Sequence, residues 1–110
     1  MATIYKVLGQ SAPAATTATT LYTVPSAKQA VISTIVVANR NASSRLYRIA
    51  VRPAGATLAN EHYIAYDVTV AGGDSSTITL GITLAVGDVI TVYGSTNDLS
   101  FSVFGSEIDV

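Results

Sequence analysis

The sequence predicts an all-β chain, an antiparallel β-sandwich of about seven or eight strands with a jelly-roll-like or immunoglobulin-like topology. Three observations carry this. Val, Ile and Thr supply 36 of the 110 residues, and β-branched side chains suit a pleated surface better than a helix. Strand-like runs recur along the whole chain, each bounded by a cluster of Gly, Pro, Asn, Asp or Ser. No segment keeps a helical period, and no repeat occurs at a fixed spacing. A chain of this length makes one domain, residues 1–110, around one core.

The elements follow in order. Residues 2–8, ATIYKVL, alternate Ile4, Lys6 and Leu8 against Tyr5 and Val7 and read as a first strand. Residues 9–20 carry almost no large apolar side chain and predict a long loop or extended arm. TLYTV is a short strand closed by Pro25, which has no amide to donate. The run from Gln29 to Asn39 is a long strand with apolar residues on both parities: Val31, Ile35 and Val37 on one face, Ile32, Val36 and Ala38 on the other. An ordinary antiparallel sheet keeps one face wet. The second set is therefore either covered by the chain's own loops or a subunit interface.

After the NRNASS turn, RLYRIAV sets Tyr47, Ile49 and Val51 against Leu46, Arg48, Ala50 and Arg52. Residues 53–61 are loop, with Leu58 tucked back on the core. HYIAYDVTV points Ile64, Tyr66, Val68 and Val70 inward and leaves Asp67 with Tyr63 and Ala65. AGGD makes a tight turn. STITLGITLAVGD alternates Ile78, Leu80, Ile82 and Leu84 with small polar residues, and Gly81 marks a bulge or bend rather than a break. DVITVYGSTND gives a further strand and turn. LSFSVFGSEI closes the domain with Leu99, Phe101 and Val103 inward. The chain lacks the buried tryptophan and paired cysteines of immunoglobulin domains, which disfavours that variant.

Net charge is −1, but its layout is lopsided. All six Lys and Arg residues lie between Lys6 and Arg52, and all seven Asp and Glu residues between Glu61 and Asp109. Either strands from the two halves alternate in the sheets and the charges simply decorate opposite edges and loops, or a basic edge of one subunit meets an acidic edge of the next. The absence of cysteine excludes disulfides and thiolate chemistry. No apolar h-region follows a basic start and no long apolar run occurs, so the sequence supports neither a signal peptide nor a membrane partner and predicts a soluble protein made in a cytosol.

Catalytic chemistry finds few residues. A triad or a metal site needs several groups converging on one point, and the single imidazole, His62, has no cysteine to join it. Asp67 forms a cross-strand pair with Arg48 or Arg52 on this reading; the alternative is a paired-carboxylate site with Asp88 or Glu107. Asp74 and Asp88 each close a Gly-Asp turn, where a short acceptor caps local amides. No phosphate-binding glycine loop is present. Tyr47 and Arg48 point to opposite sides of a strand and make no joint stacking platform, which with a pI near 5.6 argues against nucleic acid. Asn41-Ala42-Ser43 matches a glycosylation sequon by chance. No catalytic, cofactor-binding or metal residue is assigned, no cofactor is expected, and the protein is expected not to be an enzyme.

One resemblance adds to this. TLYTVPSAK, a long strand ending in VVANR, then RIAVRPAG, and finally ITLAVGDVITVYGSTNDLSFSVFGSEI resemble a group of small virion proteins of tailed bacteriophages, including cyanophages. The match spans about residues 20–108. It departs at Ser26-Ala27, where the commoner form is Ala-Gly, so the turn before Lys28 is expected to differ in geometry. The resemblance implies a structural β-sandwich of the particle, located in the virion. Its first reading is a capsid decoration or cement protein, a homotrimer bound to the major capsid protein, with Ile32, Val36 and Ala38 at the subunit interface and Arg48, Arg52 and Asp67 in intersubunit or cross-strand charge pairs. The alternatives are a tail, baseplate or fibre module, with Tyr22, Tyr63, Tyr66 and Tyr93 offering stacking faces to sugars, and a cellular carbohydrate-binding module.

Overall fold

The computed structural model describes residues 2–110. Nine strands run in chain order as β1 (Thr3–Ser11), β2 (Thr19–Thr23), β3 (Lys28–Asn39), β4 (Arg45–Arg52), β5 (Tyr63–Val70), β6 (Ser75–Ile78), β7 (Ile82–Leu84), β8 (Val89–Gly94) and β9 (Leu99–Asp109). Two 3-10 turns, Pro53–Gly55 and Asn60–His62, fill the connection between β4 and β5. The first sheet is ordered β1-β9-β3-β6, with β7 also on β3, and the second β2-β8-β4-β5. All ladders are antiparallel. If β6 and β7 are read as one interrupted edge strand, this is the eight-strand order of a jelly roll, not of an immunoglobulin domain.

Every ladder joins a strand of the first 52 residues, β1 to β4, to a strand of the remainder, β5 to β9. The two halves interleave throughout both sheets. Between the sheets lies one core, in which Tyr47 of β4 meets Phe101 of β9 edge to face at 6.3 Å between ring centres. Ile32, Ile35 and Val37 of β3, Ile49 of β4, Ile90 and Val92 of β8 and Leu99 and Val103 of β9 complete it, all fully buried.

The two-sided pattern of β3 has a local cause. Its register against β9 slips between Ile32 and Thr34, so Ser33 is an extra residue and parity inverts there. Ala30 and Ile32 point inward before the bulge, and Ile35, Val37 and Asn39 after it. Ile32 therefore belongs to the core and not to an interface, and Val31 takes its place beside Val36 and Ala38 on the outer face. The edge strand opposite accommodates the same step: the run expected to continue through Gly81 breaks into β6 and β7, Gly81 takes φ +64°, and Leu80 is thrown into solvent.

A second bulge corrects the assignment of β5. Tyr47 pairs with Val68 but Ile49 pairs with Ala65, which leaves one surplus residue on β5, and Asp67 sits there at φ 51°. Ala65 packs on the core, whereas Ile64 and Tyr66 are exposed, contrary to the simple alternation. Val68 shares the inner side with Tyr47 but sits at the sheet edge and stays open to solvent. The segment read as loop over residues 9–20 is shorter, because β1 continues to Ser11 and β2 starts at Thr19. Gly9 pairs there with Val103 and lies against the Leu21 carbonyl, an approach that leaves no room for a side chain.

Candidate functional site

Each sheet has one inner and one outer face, and the two outer faces differ in chemistry. On the first sheet the outward residues follow from alternation with the core positions and from register. They form cross-strand rows: Tyr5, Ser106, Val31 and Thr83; Val7, Phe104 and Thr34; Gln10, Ser102, Val36 and Thr77; Ser100, Ala38 and Ser75. No charged residue stands in these rows. Val36 and Ala38 are half-buried by their own neighbours.

On the second sheet the outer face carries a stack. Arg48 of β4 lies opposite Tyr93 of β8 in register, and its guanidinium sits 4.3 Å from the Tyr93 ring centre and 4.1 Å from that of Tyr66. Asp67 accepts from Arg48 Nε at 2.7 Å. That hydrogen bond, with the charge behind it, raises the already high guanidinium pKa further. Tyr63 meets Tyr66 edge-on at 4.9 Å. The bulge at Asp67 makes this possible, since it turns Tyr66 outward and brings the carboxylate alongside. The expected pairing of Asp67 thus falls to Arg48. Arg52 instead donates to the Thr91 hydroxyl at 3.0 Å and to the carbonyls of Gly55 and Ala56, and among the described residues takes no part in an ion pair. Tyr22 lies elsewhere, inside the sandwich.

There its hydroxyl donates to Glu107 at 2.7 Å, and Lys6 Nζ lies 2.9 Å from the other oxygen. Glu107 is 6 % exposed. The donated Tyr22 proton, and then Lys6, hold its carboxyl below the usual range, while burial followed by the same hydrogen bond pushes the Tyr22 phenol up. This cluster was not legible in the sequence, because the pairing of β1 with β9 across a hundred residues decides it. Among the described residues the remaining ion pairs are Lys28 with Asp109 and Arg45 with Asp98. The Thr96 hydroxyl, followed by Arg45, lowers the Asp98 carboxyl. Strands of the two halves alternate as the first reading of the lopsided charge expects, but the charges do not merely decorate edges: all four pairs among the described residues join a base of the first half to an acid of the second within one chain.

His62, Asp88 and Asp74 are engaged by backbone amides. His62 Nδ1 accepts the Ala59 amide at 3.0 Å. A recess of about 380 Å³ between β3 and β7 holds one acid, Asp88, whose two oxygens accept the amides of Ala54 and Ala85 at 2.8 and 2.9 Å. Asp74 caps Ser75 in the same way. Among the described residues no three His, Asp or Glu side chains gather at metal-binding spacing, and no helix is long and apolar enough to cross a membrane.

No family model matches the sequence, and no curated protein matches it. Among solved structures the chain is similar to a pentameric capsid protein isolated from metagenomic phage sequences, at 18% identity and a TM-score of 0.42. The alignment covers 98% of this chain and 60% of that one.

Proposed function

We propose that this chain is a non-enzymatic structural protein of a tailed-phage virion, a decoration or cement protein that binds the outer capsid surface as a homotrimer and stabilises the head. The observation that carries this reading is the charge-free outer face of the first sheet. A sheet face left in water is ordinarily polar, and contiguous exposed apolar surface marks contacts with other proteins. Here Val31, Val36, Ala38, Phe104 and Val7 lie among Ser, Thr and Gln across β1, β9 and β3. The strand and turn motifs that resemble small virion proteins supply the particle. The jelly-roll architecture, common among capsid and lectin domains, is compatible with both. A non-enzymatic role accords with the engagement of His62 and Asp88 in backbone hydrogen bonds.

The test places a charge on the face. Val36→Asp is expected to keep the circular dichroism and melting temperature of the parent while abolishing addition to particles stripped of the protein. The parent should be present in hundreds of copies spread over the head. A Val36→Asp protein that still decorates, or a handful of copies at one vertex, overturns the reading.

The tail, baseplate or fibre alternative draws on a different feature, the Tyr66–Arg48–Tyr93 stack with Tyr63 and Asp67 beside it. Aromatic faces and a fixed ion pair suit sugar rings. Binding on a glycan array that Tyr66→Ala removes would favour that alternative; an array without hits counts against it and against a cellular carbohydrate-binding module.

A further inference from the structure

Strand β1 is held unlike the others. Leu8 is its one side chain packed on the core, and Ile4, Tyr5 and Val7 are 50%, 83% and 49% exposed. What binds it is the ladder to β9, from Thr3 opposite Ile108 to Ser11 opposite Phe101, together with one ionic contact. Lys6, opposite Gly105, reaches the nearly buried Glu107. Without β1 the β9 edge would expose a row of unpaired backbone groups, and Glu107 would keep only the Tyr22 hydroxyl. The β9 edge is thus a slot built for a strand with a cation at one register position.

Nothing in that slot requires the strand to come from the same chain. The chain is anchored again at Thr16, whose amide donates to the Gly94 carbonyl at 2.9 Å and whose φ is +52°, a left-handed conformation unfavourable for a threonine. Between Ser11 and this anchor run only Ala12, Pro13, Ala14 and Ala15. Short connections under strain favour exchange of the attached element between copies, since opening the hinge relieves the strain and the exchanged contacts are identical.

We propose that β1 is exchanged in the assembled protein, with β1 of each copy filling the β9 slot of the next and its Lys6 meeting the neighbour's Glu107 until the ring closes. The proposal rests on the homo-oligomer of the preceding section, though not on where in a particle it sits.

Because the chain has no cysteine, a cross-strand pair reports the connection directly. Tyr5→Cys with Ser106→Cys places two thiols on directly opposed residues, within the Cα separation a disulfide needs. The purified protein is sized by light scattering, oxidised, denatured and run without reductant. Exchange predicts that most chains run as covalent oligomers up to the ring size and collapse to monomer on reduction. An oligomer by light scattering that denatures to internally bridged monomers overturns the exchange and leaves the oligomer standing. A monomer by light scattering overturns both. Thr3→Cys with Ile108→Cys reads the same contact one row away, and repeats the test should the first pair impair folding or resist oxidation.

Discussion

At Ala27 the backbone adopts φ +59°, the left-handed region that a Cβ disfavours. The departure from Ala-Gly at this turn therefore leaves an alanine in a conformation suited to glycine. Ala27→Gly is expected to raise unfolding stability by about 0.5–1 kcal/mol, as measured by urea titration. Asn39 is buried at the end of β3, where its amide nitrogen donates to the carbonyls of Ser43 and Val70 and its oxygen accepts the Asn41 amide. Asn39→Asp should be more damaging than Asn39→Ala, because a carboxylate turned toward those carbonyls repels them, and a loss above ~2 kcal/mol is expected. Glu107 sets a pH dependence. Its folded value is depressed, so its contribution is complete above the unfolded carboxylate value of about 4.3 and is lost as pH falls through the lower folded value. Glu107→Gln should cost about 1–3 kcal/mol at pH 7, and the gap from the parent should narrow in unfolding titrations carried below pH ~4. An unchanged gap would remove Glu107 from the acid limb.

At the scale of elements, much of the fold could be read from period and punctuation. Strands were expected at all nine observed positions, with β6 and β7 as a single run. What alternation could not reveal was parity after a bulge. Ser33 and Asp67 each insert one residue, and neither carries a distinctive local signal: Ser33 is polar within an apolar run, and Asp67 is an acid in mid-strand. The result was Ile32 assigned to the surface and Tyr66 to the core. The same inversion hid the Arg48 stack, since Tyr66 was placed on the wrong side of its sheet, although the pairing of Asp67 with an arginine was legible from charge alone. Close strand approaches were also invisible. A Cβ on Gly105 would overlap the Val31 carbonyl oxygen on the neighbouring strand β3. Gly105→Ala must therefore separate β3 from β9 at the centre of the first sheet, and a destabilisation above about 2 kcal/mol is expected by chemical denaturation. A near-neutral result would mean the ladder can shift to admit a methyl group.

For the whole molecule, association through an uncharged face would have a signature in solution. If the proposed homo-oligomer forms through Val36, Ala38 and Phe104, charges screened by salt contribute little to it, and its dissociation constant should change less than about threefold between 0.05 and 0.5 M NaCl. A steep weakening with salt, followed by sedimentation, would assign the contact to the charged second sheet instead. The interleaving of the two half-chains has a different consequence, one that concerns synthesis. As the chain leaves the ribosome, β1 to β4 emerge with no strand to pair with, since each of their ladders requires a strand from β5 to β9. Such a topology closes few contacts early and folds slowly, and a nascent half exposing unpaired apolar strands is prone to aggregate. The segregated charge bears on that interval. A leading half whose charges are all basic repels its copies on neighbouring ribosomes and attracts an acidic half, and the one tethered to it is at the highest local concentration during synthesis, so the arrangement that looks unbalanced along the sequence favours pairing within the chain before finished copies can exchange β1.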